Sequence, residues 1–193
     1  MSKPRSQSRE KILQAAQALL CRQGYQGTGM AQILAESGAP RGSIYFLFPG
    51  GKEQIAIEAI EASAADFETM IIAARQTAKT PEAWIAAMAQ ELSDRFHASG
   101  FREGSPVATV SLDSVPGSEP LTKACRAAYQ RWSAALTAGL VEYGAGQQAA
   151  EQLSFLMLTQ LEGAMLLCRV YQSEEPLRRA ERHVVELVRA GVG

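Results

Sequence analysis

Histidine is nearly missing from this 193-residue chain, which has two, and cysteine is scarce at three. His97 and His183 stand far apart and in no H-E-x-x-H spacing, so the sequence contains neither a zinc-hydrolase motif nor the makings of a catalytic triad. Cys21, Cys125 and Cys168 are odd in number and never in C-x-x-C spacing, which argues against a disulfide framework and a zinc site. They read as small buried hydrophobes. An enzyme is not expected, nor is a metal or other cofactor.

Long hydrophobic runs are also lacking. No uninterrupted apolar stretch reaches the roughly 18 residues that cross a bilayer, and the polar start "MSKPRSQSREK" has no apolar core like that of a signal peptide. The expectation is a cytoplasmic protein with no membrane partner. One glycine-lysine pair, in "PGGKE", suggests a phosphate loop, but the spacing fails. Phe46 stands where a Walker loop needs its first glycine, and Glu53 follows the lysine where Ser or Thr must hold magnesium.

What is present fits a soluble globular protein: 47% hydrophobic and 20% charged residues. The length suits one large domain or a small module joined to a larger one. The net charge of -1 hides an asymmetry, since residues 1 to 60 carry seven Lys/Arg against four Asp/Glu. A polyanionic partner would therefore meet the N-terminal segment.

Helical spacing dominates. From Ser8, a candidate N-cap, Ile12, Ala15, Ala16, Leu19 and Leu20 form one face, and Gly24 ends the segment. Thr28 is a candidate cap for a second, short helix burying Met30, Ile33 and Leu34 up to Gly38, and a third runs from Arg41 to Leu47. A long helix follows over 51–76, and Thr80 with Pro81 opens another through Trp84, Met88, Leu92 and Phe96. The valine-rich run 106–115 reads as a short helix, because nothing nearby could pair with a strand. Ser118 caps 119–143, and two more helices cover 148–171 and 175–190. The segment 148–171 is apolar on nearly all sides, so it requires protein on more than one face.

Two short helices joined by a glycine turn form a helix-turn-helix pattern, whose second helix enters the major groove. With Ile44 and Phe48 inward, Gly42, Tyr45 and Phe46 turn outward. The stretch "GTGMAQILAESGAPRGSIYFLFPGGKEQI" resembles the DNA-binding region of the TetR/AcrR family of transcriptional regulators, and "GSPVATVSLD" resembles its LmrA/YxaF-like branch. Two positions depart from the family pattern: Leu47 stands where many relatives have histidine, and Pro40 where many have Ser or Asn.

The resemblance implies an all-α protein with an N-terminal three-helix helix-turn-helix domain, residues 1–50, and a larger helical effector-binding and dimerisation domain, residues 51–193. It implies a homodimer that binds double-stranded DNA at a palindrome, represses transcription, and is released by a small apolar or aromatic effector. A helical ligand binder or scaffold indifferent to DNA is the rival reading. The DNA contacts expected are Thr28, Arg41, Gly42, Ser43, Tyr45, Phe46 and Lys52, with Arg5 and Arg9 reaching the backbone from the start of the chain. Arg41 would meet a guanine edge or a phosphate, while Phe46 would meet a thymine methyl or pack on the first helix. Trp84, Met88, Phe96, Val110, Tyr129, Trp132, Gln160, Glu162 and Met165 are candidate effector-pocket residues, with plain core as the alternative for the apolar ones. The expected dimer interface comprises Leu153, Leu156, Met157, Leu161, Ala164, Val184, Leu187 and Val188.

Overall fold

A computed structural model describes the backbone of residues 3–192 and the side chains of 7–40 and 42–190. Among the described residues the chain forms nine helices and no strand: α1 Lys3–Gln23, α2 Met30–Ser37, α3 Arg41–Leu47, α4 Gly51–Thr77, α5 Pro81–Ala98, α6 Pro106–Ser114, α7 Glu119–Glu142, α8 Gln147–Tyr171 and α9 Glu175–Val192.

The caps explain most boundaries. Thr80 Oγ1 accepts the Ala83 N–H at 3.2 Å with Pro81 in the first turn. Ser105 repeats the device for α6, accepting from Ala108 N at 3.2 Å ahead of Pro106, so the valine-rich run is helical. Ser118 accepts from Leu121 N at 3.3 Å at the start of α7. Two cap expectations are corrected. α1 begins at Lys3, which places Ser8 inside the helix, and the N-cap of α2 is Gly29, with no side-chain cap bond. Thr28, only 2% exposed, instead donates its hydroxyl to the Gly24 carbonyl at 2.6 Å.

By packing, the chain divides into two compact units that do not follow chain order. One comprises Met1–Ser63 with Ser105–Ala128, the other Ala64–Gly104 with Tyr129–Gly193, so α4 and α7 each contribute to both. The first unit buries Ile12, Leu19, Leu20, Ile33, Ile44, Phe48, Ile55 and Ile60 together with Val107, Val110 and Leu121. α1 is its hub, packing on α2, α3 and α6. The core of the second unit holds Ile71, Trp84, Met88, Trp132, Leu136, Met157, Met165 and Val188, with α9 packed on α5 and α8.

Gly24 is a backbone requirement of the first unit. Its φ is +71°, and its N–H closes α1 by donating to Leu20 C=O at 3.0 Å. A Cβ there would lie 2.4 Å from Asp113 Oδ2. Gly24→Ala is therefore expected to destabilise the protein by about 2 kcal/mol, through left-handed strain and displacement of that carboxylate. Urea unfolding tests this; a loss below about 0.5 kcal/mol would contradict the packing described.

Although Thr159, Gln160 and Glu162 interrupt its apolar run, α8 is by length and composition long and apolar enough to cross a membrane. Its packing is that of a core helix with one face covered. Leu153, Met157, Leu161, Ala164, Met165 and Cys168 are buried, while Phe155, Leu156, Leu166, Leu167, Val170 and Tyr171 remain exposed on the other side.

Candidate functional site

The turn between α2 and α3 is built to hold a short helix at the surface. Gly38 closes α2 in the left-handed region at φ 61°, and Ser37 donates to Leu34 C=O at 3.0 Å while accepting the Ala39 N–H at 3.2 Å. Pro40 is the N-cap of α3, its carbonyl accepting both the Ser43 N–H at 2.9 Å and the Ser43 hydroxyl at 2.6 Å. Pro40 thus does with its carbonyl part of what a Ser or Asn cap does with its side chain.

The two faces of α3 are sharply divided. Ile44 and Phe48 are 1% and 0% exposed, whereas Tyr45 and Phe46 are 68% and 67% exposed. Gly42 lies on the open face with nothing within 4 Å of where a Cβ would stand. The seven residues of α3 and its C-cap Phe48 thus provide an anchor of two apolar side chains and an outer face of two aromatic rings beside a glycine. Phe46 is about two-thirds exposed and turns outward. The Arg41 side chain, like that of Arg5, lies outside the described residues.

The start of α4 lies in the same unit. Gly51, at φ 66°, donates to Phe48 C=O at 2.9 Å, and the Gln54 side chain accepts the Gly50 N–H at 2.8 Å. Lys52 Nζ donates to the Tyr25 carbonyl at 3.1 Å and rests 4.0 Å above the Tyr25 ring. The neighbouring Glu53 accepts the Ser118 hydroxyl at 2.8 Å. Burial, followed by the Glu53 and Asp113 carboxylates, pushes the Tyr25 phenol above its ordinary value, so it stays neutral. Arg9 pairs with Glu58 and stacks 5.2 Å over Phe48. Its guanidinium therefore fastens α1 to α4 and α3, a role the sequence did not suggest.

Thr28 drops out of the surface set, because its buried hydroxyl serves Gly24. Ser43, Tyr45, Phe46, Gly42 and Lys52 are brought together in the first unit. Sequence reasoning missed Tyr25, Gln26 and Asp113. Only Gly24, read as a helix end, marked that neighbourhood.

The second unit treats the expected effector residues as core. Trp84 is fully buried, its Nε1 donating to Ile71 C=O at 3.0 Å and its ring filling the space beside Gly139. Trp132 donates to Ala64 C=O at 3.0 Å, lies against Phe67 at 4.8 Å with the rings tilted by 58°, and meets Tyr129 edge-on at 5.4 Å. Met88, Phe96 and Met165 are buried with them. Val110 is a correction: it is buried in the first unit, beside α1, and is not grouped with the others. Gln160 lines a surface groove of about 790 Å³ between α8 and α9, together with Leu156, Gly163, Leu167, Tyr171 and His183. Glu162, half-buried, follows two residues later on α8. Cys168 is buried and its thiol is pushed up by that burial, which leaves it a poor nucleophile.

The interface residues also sort by burial. Leu153, Met157, Leu161, Ala164, Val184 and Val188 are between 0% and 8% exposed and belong to the chain's own core, because α8 and α9 pack on each other along that side. Leu156 and Leu187 alone of that set reach the surface, at 41% and 39%. The outward apolar stripe consists of Phe155, Leu156, Leu166, Leu167, Val170 and Tyr171.

Comparison with known proteins gives this arrangement its place. Residues 12–59 match the model for bacterial regulatory proteins of the tetR family, and residues 81–183 match the C-terminal domain of LmrA/YxaF-like transcriptional regulators. The chain is 37% identical to the HTH-type transcriptional regulator LmrA of Bacillus subtilis over 94% of its length and 97% of that protein. It is 34% identical to the uncharacterized HTH-type regulator YxaF of the same organism, over 96% and 97%. A TetR transcriptional regulator from Chloroflexus aurantiacus superposes with a TM-score of 0.80 at 25% identity, covering 98% of each chain. The reduced form of Escherichia coli NemR has the same fold, with a TM-score of 0.78 at 24% identity over 92% and 94%. With an outward-facing third helix on a helix-turn-helix and both family models matched, the chain belongs to the TetR family of DNA-binding transcriptional regulators, in its LmrA/YxaF-like branch.

Proposed function

We propose that this regulator is a cytoplasmic repressor that binds a palindromic operator as a homodimer and is released by a small apolar or aromatic effector. No catalytic step and no cofactor enter this reading. The observation that carries it is the outer face of α3, where two aromatic side chains stand about two-thirds exposed beside Gly42. Water gives no reason for such a face; a groove does. Gly42 admits close approach, Tyr45 offers its hydroxyl to phosphate, Ser43 would do so by turning its hydroxyl away from the Pro40 carbonyl, Phe46 meets a thymine methyl, and Arg41 reaches a guanine edge or phosphate. Lys52 has three N–H donors, of which Tyr25 takes one, leaving two for phosphate oxygens.

The outward stripe on α8 supports the dimer, since six exposed apolar residues on one face are what a second copy would cover. By role, residues 1–50 read DNA while 51–193 dimerise and sense. The effector would lodge among Trp84, Met88, Phe96, Trp132, Met165 and Tyr129, parting the Tyr129 and Trp132 rings that meet edge-on in the free protein. Methionines make such repacking inexpensive. A tilt of α4, which carries Lys52 at its start, would then move the phosphate contact, and about 1–3 kcal/mol of coupling gives roughly 5- to 150-fold release.

Fluorescence anisotropy with the palindromic duplex nearest the coding region and a scrambled duplex tests the reading. The expected result is preferential binding that weakens steeply with salt. Tyr45→Ala should lose about 10- to 100-fold in affinity for the palindrome while folding normally. Equal, weak, salt-insensitive binding to every duplex in a genomic DNA selection would overturn the proposal and favour a DNA-indifferent ligand binder.

A further inference from the structure

Residues 105–128 lie mid-chain yet pack in the unit that carries the helix-turn-helix. Their attachment to α1 is polar as well as apolar. Thr109 Oγ1 donates to Leu20 C=O at 2.7 Å, the carbonyl that also accepts the Gly24 N–H. One turn further along α6, Asp113 Oδ2 accepts the Gln26 N–H at 2.8 Å, while Ser114 donates to Asp113 Oδ1 at 2.6 Å and so orients the carboxylate. The absence of a Cβ at Gly24 makes room for that same oxygen. The turn leaving α1 is therefore held by one α6 carboxylate through a charge-assisted bond to backbone.

Tyr25 stands between these attachments. Its carbonyl and its ring hold the Lys52 ammonium. A continuous polar path runs from the Asp113 carboxylate, through the backbone of residues 24–26, to Lys52.

We propose that Asp113 is a positioning residue for DNA binding: by fixing the 24–26 turn it sets where Tyr25 presents Lys52, and α6 becomes an input to the DNA-reading surface separate from the tilt of α4. The proposal rests on Lys52 contacting phosphate, as argued above. A hydrogen bond of 2.8 Å tolerates little displacement, so a shift of α6 by a fraction of an ångström to one ångström is enough to release the turn.

The test uses the full-length protein and the selected operator duplex, with anisotropy measured across a salt series for wild type, Asp113→Ala, Asp113→Asn, Lys52→Ala and the Asp113→Ala/Lys52→Ala double variant. Asp113→Ala is expected to weaken binding about 10-fold and to lower the salt slope by about one, as Lys52→Ala does. Asp113→Asn, which keeps an acceptor for Gln26 N–H, should stay within about threefold of wild type, and Asp113→Ala should add less than about twofold to Lys52→Ala. Wild-type affinity in a folded Asp113→Ala protein, or losses that multiply in the double variant, would overturn the proposal. Should Asp113→Ala fail to fold, Ser114→Ala removes only the hydroxyl that orients the carboxylate. It should weaken binding about threefold, and unchanged affinity again counts against the idea. If Lys52→Ala itself is silent, the phosphate reading fails and this proposal with it; a silent Asp113→Ala beside a weakened Lys52→Ala strikes this proposal alone.

Discussion

Leu167→Glu is expected to leave the protein monomeric and to weaken operator binding by about 10²- to 10⁴-fold, the range over which linking two binding sites raises affinity. Leu167 is 44% exposed, lies in the middle of the outward stripe of α8, and lines the groove between α8 and α9. A carboxylate there has water in the monomer and would have none under a second copy, so the charge acts on association and not on folding. Leu153→Glu makes the contrast. Leu153 is 8% exposed inside the chain's own core, and a charge there should unfold the protein. Sedimentation velocity with a parallel anisotropy titration separates the two. A folded Leu167→Glu protein that remains dimeric would place the interface elsewhere.

Trp84→Ala should be the most destabilising single truncation in the second unit, at about 4 kcal/mol. The ring is fully buried, abuts Gly139, which has no side chain to fill the space vacated, and its indole N–H satisfies Ile71 C=O. Trp84→Phe retains most of the volume and loses the donor, for about 1–2 kcal/mol. Urea unfolding followed by circular dichroism gives both values. A loss under 1 kcal/mol for Trp84→Ala would mean that the ring lines open space in the free protein, which is what a preformed effector pocket requires.

These outcomes bear on what the sequence could convey. The helix-turn-helix was legible because its signals are local: Gly24, Gly38 and Pro40 punctuate the chain, and Ile44 with Phe48 mark the inner side of a helix only two turns long. Thr80–Pro81 and Ser118 announced helix starts by the same short-range chemistry. Thr28 misled because a hydroxyl before a helix can turn backward to the preceding carbonyl as readily as forward to the helix N–H groups. Asp113 was invisible for a different reason. Its partner Gln26 lies 87 residues away, and a backbone N–H carries no side-chain signature that could announce the bond. The interface expectation lacked a rotation: an apolar pattern indicates that α8 needs protein on more than one side, without saying which side meets α9. Exposure supplies that missing angle.

The placement of the two tryptophans has an optical consequence. Trp84 and Trp132 both belong to the second unit, and the unit that carries α3 has none. Indole emission is therefore blind to the reading of bases and sensitive to anything entering among Phe67, Tyr129 and Trp132. Any change in that emission when operator alone is added must be carried from one unit to the other. Such a change would report, without a labelled probe, that operator binding reaches the second unit.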